Sequence, residues 1–426
     1  MRSFLLIFAL AFFTSSIFAQ DVPEQLFSSL PDDVTPALSE RGKYAVGVKT
    51  IAIINDKHVN ALKPAENTRP LTVEVWYPSN TTSSETTQYD NQTRSGVKFS
   101  IEANAIRDAA LLNNSGTKFP VVVLSHGYTG YRTIMFHIGE HLASHGYIAI
   151  GIDHTDSTNT DIDFANDAGA GFLSTLMNRA KDQQFVLDWV TSESEFAVAL
   201  DPDNAGLVGY SMGGYGAVNT IGGCYAFTSQ HVNAISGSND AISNDAIAGA
   251  LNNCAAGRKE GEDPRWKAAV VMAPWGGQLK IFSSQSLAKI KVPTLYMSGD
   301  FDDIVGYEGV RWLFNEHKPS RALLLTYHHA RHNIGPHPAP KAAYKNELDI
   351  GHYREPSWDS ETLAIINQHF TLAMMDCNVK NISTACEYLA VRGSSNQIPV
   401  DGIRPEPWKG FDDRYSTGMT MEANTP

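Results

Sequence analysis

Residues 45–54 and 71–77 (LTVEVWY) alternate apolar and polar side chains. That period of two belongs to strands with one face on a core and one in water, and it predicts two antiparallel strands. Further along, apolar residues come in short unbroken runs, at 121–125, 147–153, 205–210, 268–273, 293–298 and 322–327. Continuous runs are what strands buried on both faces of a parallel sheet require. Between them, 134–144, 179–190, 214–221 and 363–374 repeat their apolar residues at helical spacing. Strand–helix alternation predicts an α/β fold with a mostly parallel central sheet flanked by helices. Two stretches break the rhythm. Residues 155–176 are rich in Asp, Thr and Asn; residues 222–265 are rich in Ala, Asn, Ser and Gly. Both predict lid-like insertions able to cover a cleft. The polar stretch 81–95 (TTSSETTQYDNQTRS) predicts an exposed loop, and the Pro-rich segment 393–426 an irregular extension wrapped on the surface.

Composition narrows the class. Apolar residues make up 42% and charged residues 19% of 426 residues, which excludes a disordered, collagen-like or coiled-coil chain. The net charge is −13, from 33 Lys and Arg against 46 Asp and Glu. A strongly acidic chain repels phosphate backbones, which argues against a nucleic-acid partner.

The N-terminus places the chain outside the cytosol. Arg2 precedes an apolar run at 4–13 and a small-residue stretch ending at Ala19. This is the layout of a signal peptide over 1–19, and the run is too short for a stable membrane span. A secreted or periplasmic location follows. Four cysteines, an even count, then predict two disulfides. Four cysteines allow three pairings. Cys224 with Cys254 and Cys377 with Cys386 are preferred because each closes a local loop.

The chemistry enters at Gly209-Tyr210-Ser211-Met212-Gly213, a G-x-S-x-G sequence. The five residues recur by chance in unrelated chains. Here they join a strand run to a helical stretch, the strand–turn–helix context that makes the serine a nucleophile candidate. An oxyanion forming on a carbonyl attacked by Ser211 needs aimed donors. The N–H of Met212 is one. Tyr128 N–H, in the turn His126-Gly127-Tyr128 after the run at 121–125, is the other. A serine hydroxyl also needs a base, and the base an orienting carboxylate, in the chain order Ser, acid, His. Three carboxylates follow the run at 293–298: Asp300, Asp302 and Asp303. Asp302, which precedes x-Ile-Val, is preferred; the other two suit loop capping or solvated charge. After 322–327 come His328, His329 and His332. His332, deepest in the loop, is preferred as the base. His328 and His332 lie four apart, but no H-E-x-x-H surrounds them, so no metal and no other cofactor is expected.

With these residues in place the chain resembles the α/β-hydrolase superfamily. Within it, the likeness is to dienelactone-hydrolase-like and platelet-activating-factor-acetylhydrolase-like serine esterases, and runs from about residue 44 to 375. VEVWYP, SHGYTGYR, LASHGYIAIGIDHTDST, STLMNRAKDQQFVLDWV, GYSMGG and VPTLYMSGDFDDIV carry it. Bacterial cutinases and polyester hydrolases are similar at greater distance, with MAPW as a further counterpart. The resemblance implies a Ser211–Asp302–His332 triad, an oxyanion hole at Tyr128 and Met212, and Trp275 beside the substrate. Dienelactone hydrolases proper carry a cysteine nucleophile, so their lactone substrate does not transfer to a chain with Ser211.

The organisation expected is a signal peptide over 1–19, a hydrolase domain over 20–392 and an extension over 393–426. The function expected is hydrolysis of a small or polymeric carboxylic ester through an acyl-enzyme. Polyester hydrolysis, phospholipid acetyl-ester hydrolysis, amidase activity and non-catalytic binding on the same fold are the alternatives.

Overall fold

In the computed structural model, residues 22–424 are described except 29, 32–33, 61–64, 66, 82–86, 114–115, 255–262, 319–321, 397–405 and 413. The expected signal peptide therefore lies outside the described residues. Among those described, no helix is long and apolar enough to cross a membrane.

The chain opens on β1 (Ala45–Asn55) and β2 (Arg69–Ser79), paired antiparallel over eleven residues from Ala45 against Ser79 to Asn55 against Arg69. Then come β3 (Gln88–Gln92), β4 (Lys98–Glu102) and β5 (Ile106–Arg107). The central strands follow with their helices: β6 (Phe119–Ser125), α1 (Phe136–Ser144), β7 (Ile148–Asp153), α2 (Phe172–Ser192), β8 (Leu200–Tyr210) and α3 (Met212–Thr220). A helical pair, α4 (Ser229–Ser236) and α5 (Ala241–Leu251), precedes β9 (Trp266–Met272). The chain goes on through α6 (Ser284–Leu287), β10 (Thr294–Gly299), α7 (Tyr307–Glu316) and β11 (Ala322–Tyr327). It closes with α8 (Glu347–Ile350), α9 (Ser360–Asn378), β12 (Gly393–Ser394) and β13 (Met419–Ala423).

One sheet takes eleven of these strands, in the order β12-β13-β11-β10-β9-β8-β6-β7-β2-β1-β5. From β7 to β11 every neighbouring pair is parallel. The expected mostly parallel sheet is present. The physical cause is visible in the strands themselves: every residue of β6, β10 and β11 is buried, so helices must cover both faces. This is the α/β-hydrolase architecture, and it delivers the C-terminal ends of β6, β8, β10 and β11 to one edge.

Three expectations need correction. The polar stretch 81–95 is not wholly loop: Gln88–Gln92 is β3, paired with β4 in a separate hairpin. Its inward residue is Tyr89, whose hydroxyl accepts from Trp76 Nε1 and donates to Glu140, both at 2.7 Å. One buried aromatic anchors a strand whose other residues are polar. The C-terminal extension is likewise not irregular throughout. Met419–Ala423 pairs antiparallel with β11, with Met419 and Met421 buried and Thr420 between them half-buried. Alternation over five residues is too short a signal to stand out beside a Pro-rich tail. Thirdly, the stretch 155–176 ends in helix, since α2 begins at Phe172.

The stretch 222–265 holds α4 and α5. Tyr225 stacks on Tyr215 of α3 with centroids 4.5 Å apart, which ties this insertion to the helix that follows Ser211. Disulfides join Cys224 to Cys254 and Cys377 to Cys386, with Cα atoms 5.1 and 4.9 Å apart.

Candidate active site

Ser211 sits between β8 and α3 with φ 53° and ψ −113°, a conformation that side chains rarely adopt. The turn is held from both sides: Ser211 N–H donates to Met272 O at 2.9 Å, and Ser211 O accepts from Tyr215 and Trp275 N–H groups. Gly213 is required here by contact. A Cβ on it would lie 1.8 Å from Ser125 O, the last residue of β6. Only a glycine lets α3 start against that strand end. The strained turn thus places the serine hydroxyl at the strand edge, with the positive end of α3 beneath it.

His332 lies in the loop after β11. Its Nε2 is 3.0 Å from Ser211 Oγ, and its Nδ1 is 2.9 Å from Asp302 Oδ2. The other oxygen, Asp302 Oδ1, accepts from Ile304 and Val305 N–H groups, each at 2.9 Å. Burial pushes the Asp302 carboxyl up. The hydrogen bond and charge of His332, with the two N–H groups, outweigh burial and hold it below the usual value. Asp302 can therefore stay ionised and fix the imidazole with Nε2 turned to the serine. Ser211, His332 and Asp302 are 8%, 7% and 7% exposed, largely shielded but not fully enclosed.

The rival residues are placed elsewhere. Asp300 Oδ2 pairs with His328 Nδ1 at 2.9 Å, and His328 Nε2 meets Thr420 Oγ1 of β13. His329 is exposed, and Asp303 forms a surface pair with Arg331. Among the described residues, no group of three or more His, Cys, Asp or Glu is arranged to hold a metal ion.

The N–H groups of Tyr128 and Met212 donate to no acceptor among the described residues. Both belong to turns at the strand edge: Tyr128 follows β6 and Met212 opens α3. The side chain of Tyr128 joins a row of rings. It meets Phe172 edge-on at 5.2 Å, Phe172 meets Trp275 at 5.4 Å, and Trp275 meets Tyr215 at 5.7 Å. Trp275 N–H donates to Ser211 O at 3.2 Å, so the row runs beside the serine.

Sequence reasoning missed the support beneath. Ser125 Oγ is 2.8 Å from His154 Nε2, and His154 Nδ1 is 2.9 Å from Asp182 Oδ2. Asp182 also accepts from Arg69 Nε and Nη2, at 2.7 and 2.9 Å. Gln183 Nε2 donates to both Ser125 Oγ and Gly213 O, each at 2.9 Å. Burial, helped by the charge of Arg179, pushes His154 down to about 3. It is neutral, with Nδ1–H donating to Asp182 and Nε2 accepting from Ser125. The chain of bonds locks the end of β6, which leads to Tyr128, to the turn that carries Ser211. No periodicity or motif marks such a network. Asp182 and Gln183 do fall within the segment STLMNRAKDQQFVLDWV.

The family model of platelet-activating factor acetylhydrolase, isoform II, matches residues 35–223. Cutinase 2 of Thermobifida cellulosilytica is 26% identical over 188 residues, which cover 44% of this chain and 49% of that protein. Bis(hydroxyethyl) terephthalate hydrolase of Streptomyces coelicolor is 30% identical over 106 residues, 25% of this chain and 29% of that one. The chain thus spans about half or less of the length of the curated relatives it matches. Among solved structures, a ferulic acid esterase from Streptomyces cinnamoneus superposes with a TM-score of 0.52 at 19% identity. That match covers 80% of this chain and 91% of the other. At that identity it establishes the shared fold.

Proposed function

Taking the chain as a member of the α/β-hydrolase superfamily, we propose that it is an exported serine hydrolase of carboxylic esters, with Ser211 as nucleophile, His332 as base and Asp302 as orienting acid. The observation that carries this is His332, which touches Ser211 Oγ through one ring nitrogen and Asp302 through the other. The relatives, named as cutinases, acetylhydrolases and a terephthalate-ester hydrolase, support the ester as the bond attacked.

Attack begins when His332 Nε2 accepts the Ser211 hydroxyl proton and Oγ bonds to the ester carbonyl carbon. The carbonyl oxygen becomes an oxyanion held by Tyr128 and Met212 N–H groups. His332 returns the proton to the departing alcohol, and an acyl-serine remains. Water, deprotonated by the same imidazole, releases the acid and restores the hydroxyl. Asp302 keeps the imidazole in the required tautomer and stabilises its charged form. No step calls for a metal or an organic cofactor. Trp275, Phe172 and Tyr128 form the apolar wall on which a flat or acyl group rests. Export is supported by the N-terminal layout of the sequence and by the two disulfides.

Ser211→Ala assayed on short p-nitrophenyl esters tests the assignment. The expected loss is about 10⁴-fold or more in kcat. Retained hydrolysis by purified folded variant would remove Ser211 from the mechanism.

A further inference from the structure

Arg94 lies in the turn between β3 and β4, and the turn is built to hold it still. Ser95 N–H and Oγ both bond to Asp349, at 2.8 and 2.5 Å, and Gly96 N–H donates to Thr93 O. Arg94 Nε donates to Thr129 Oγ1 at 2.9 Å, and Thr129 Oγ1 donates in turn to Tyr128 O at 2.7 Å. The guanidinium is thus one residue from the proposed oxyanion donor. Its plane rests over the ring of Phe164, 4.5 Å from the centroid. The electrostatic neighbours of Arg94 include Tyr210 and Tyr353. Tyr210 packs against the His332 imidazole at 5.3 Å.

What is missing is a counter-charge. Arg94 forms no ion pair among the described residues, and Nη1 and Nη2 meet no acceptor there. The carboxylate whose charge acts on it, Asp349, is already bonded to Ser95 and Asn346. Burial lowers the Arg94 pKa from its ordinary value; the charge of Asp349 works against this but does not offset it, and no carboxylate touches the guanidinium among the described residues. A guanidinium stays charged and offers its free Nη pair as a fork matched to a planar oxyanion.

We propose that Arg94 is a substrate-binding residue that takes the free carboxylate of an acidic half-ester, so that the favoured substrates carry one ionised acid group beside the ester to be cleaved. This rests on the ester-hydrolase reading above and deepens it. A carboxylate fits better than a phosphate dianion, because one guanidinium supplies one positive charge and the described surroundings add no second cation.

The test compares substrate pairs that differ by that group. On the acyl side they are mono-4-nitrophenyl glutarate and 4-nitrophenyl pentanoate; on the alcohol side, 3-acetoxybenzoate and phenyl acetate. The wild type should favour the anionic member of at least one pair in kcat/KM. Arg94→Gln should erase that preference by about ten- to hundredfold, the worth of a charge-assisted hydrogen bond. The neutral member should change less than threefold, and Arg94→Lys should keep part of the preference. An equal fall on both members would mean that Arg94 acts only on the oxyanion loop through Thr129, and would overturn the proposal. No change on either would also overturn it. Calorimetric binding of glutarate to Ser211→Ala, with and without Arg94→Gln, reads the same subsite without turnover. Binding there lost with Arg94→Gln supports the proposal, and binding indifferent to Arg94 contradicts it, whatever Ser211→Ala shows about hydrolysis.

Discussion

At the scale of residues, the site depends on one imidazole being held in one orientation. Asp302 does this with a single oxygen, because Ile304 and Val305 occupy the other. An asparagine at 302 keeps the shape but can present an N–H where the imidazole N–H must donate, which favours the wrong tautomer. Asp302→Asn is therefore expected to lower kcat on p-nitrophenyl esters by about 10³- to 10⁴-fold. Circular dichroism should show the variant folded. A loss under tenfold would take Asp302 out of the proposed triad and send attention to Asp300 or Asp303. These three acids and the three histidines behind β11 illustrate what is legible at this scale. Strand-end position and chain order, fixed by the fold, narrowed the choice to Ser211, these acids and these histidines; the x-Ile-Val after Asp302 and the depth of His332 in its loop chose between them. Arg94 was not legible, because it falls in a polar stretch whose composition says loop. Only the bond to Thr129 and the missing counter-ion mark it.

Between elements, legibility followed burial. The runs that became β6, β10 and β11 are continuous because both faces are covered, and such runs announce themselves in sequence. Strands β3 and β13 carry one or two buried residues each, too few to impose a period on their neighbours. Helices α2, α3 and α9 start earlier than their apolar spacing suggests, most of all α2 at Phe172, whereas α1 starts later, at Phe136. The Asp182–His154–Ser125 chain joins α2, the residue just after β7, and the end of β6, and leaves no pattern in any of them. Its members are separated by 28 and 29 residues and meet only in the folded chain. Both cysteine pairings follow from closing the nearest loops, which the α4–α5 pair and the end of α9 each accomplish.

Across the whole molecule, burial lowers the pKa of several histidines. Burial pushes His137, His154 and His369 down to about 3 and His317 and His337 to about 4. His126, His141 and His352 are lowered as well, again chiefly by burial. Unfolded, each would titrate near 6.5. Between the folded and unfolded values the unfolded chain binds more protons, so stability falls as pH drops below about 6.5. Each such histidine costs about 1.4 kcal/mol per pH unit in that window. Tm is expected to fall by about 10 °C or more between pH 7.5 and pH 5.5, and further by pH 4.5. Calorimetry at those three pH values checks this. A Tm that stays level would show that these rings take up protons in the folded protein.

The central claim is that the Ser211 hydroxyl is the one activated nucleophile of the folded chain. Mass spectrometry of the intact protein and its peptides after treatment with a fluorophosphonate tests it most directly. The account predicts one adduct per chain, on Ser211, formed at a rate that collapses in His332→Ala. No adduct on folded protein that still hydrolyses esters, or an adduct on another residue that tracks the loss of activity, would contradict it.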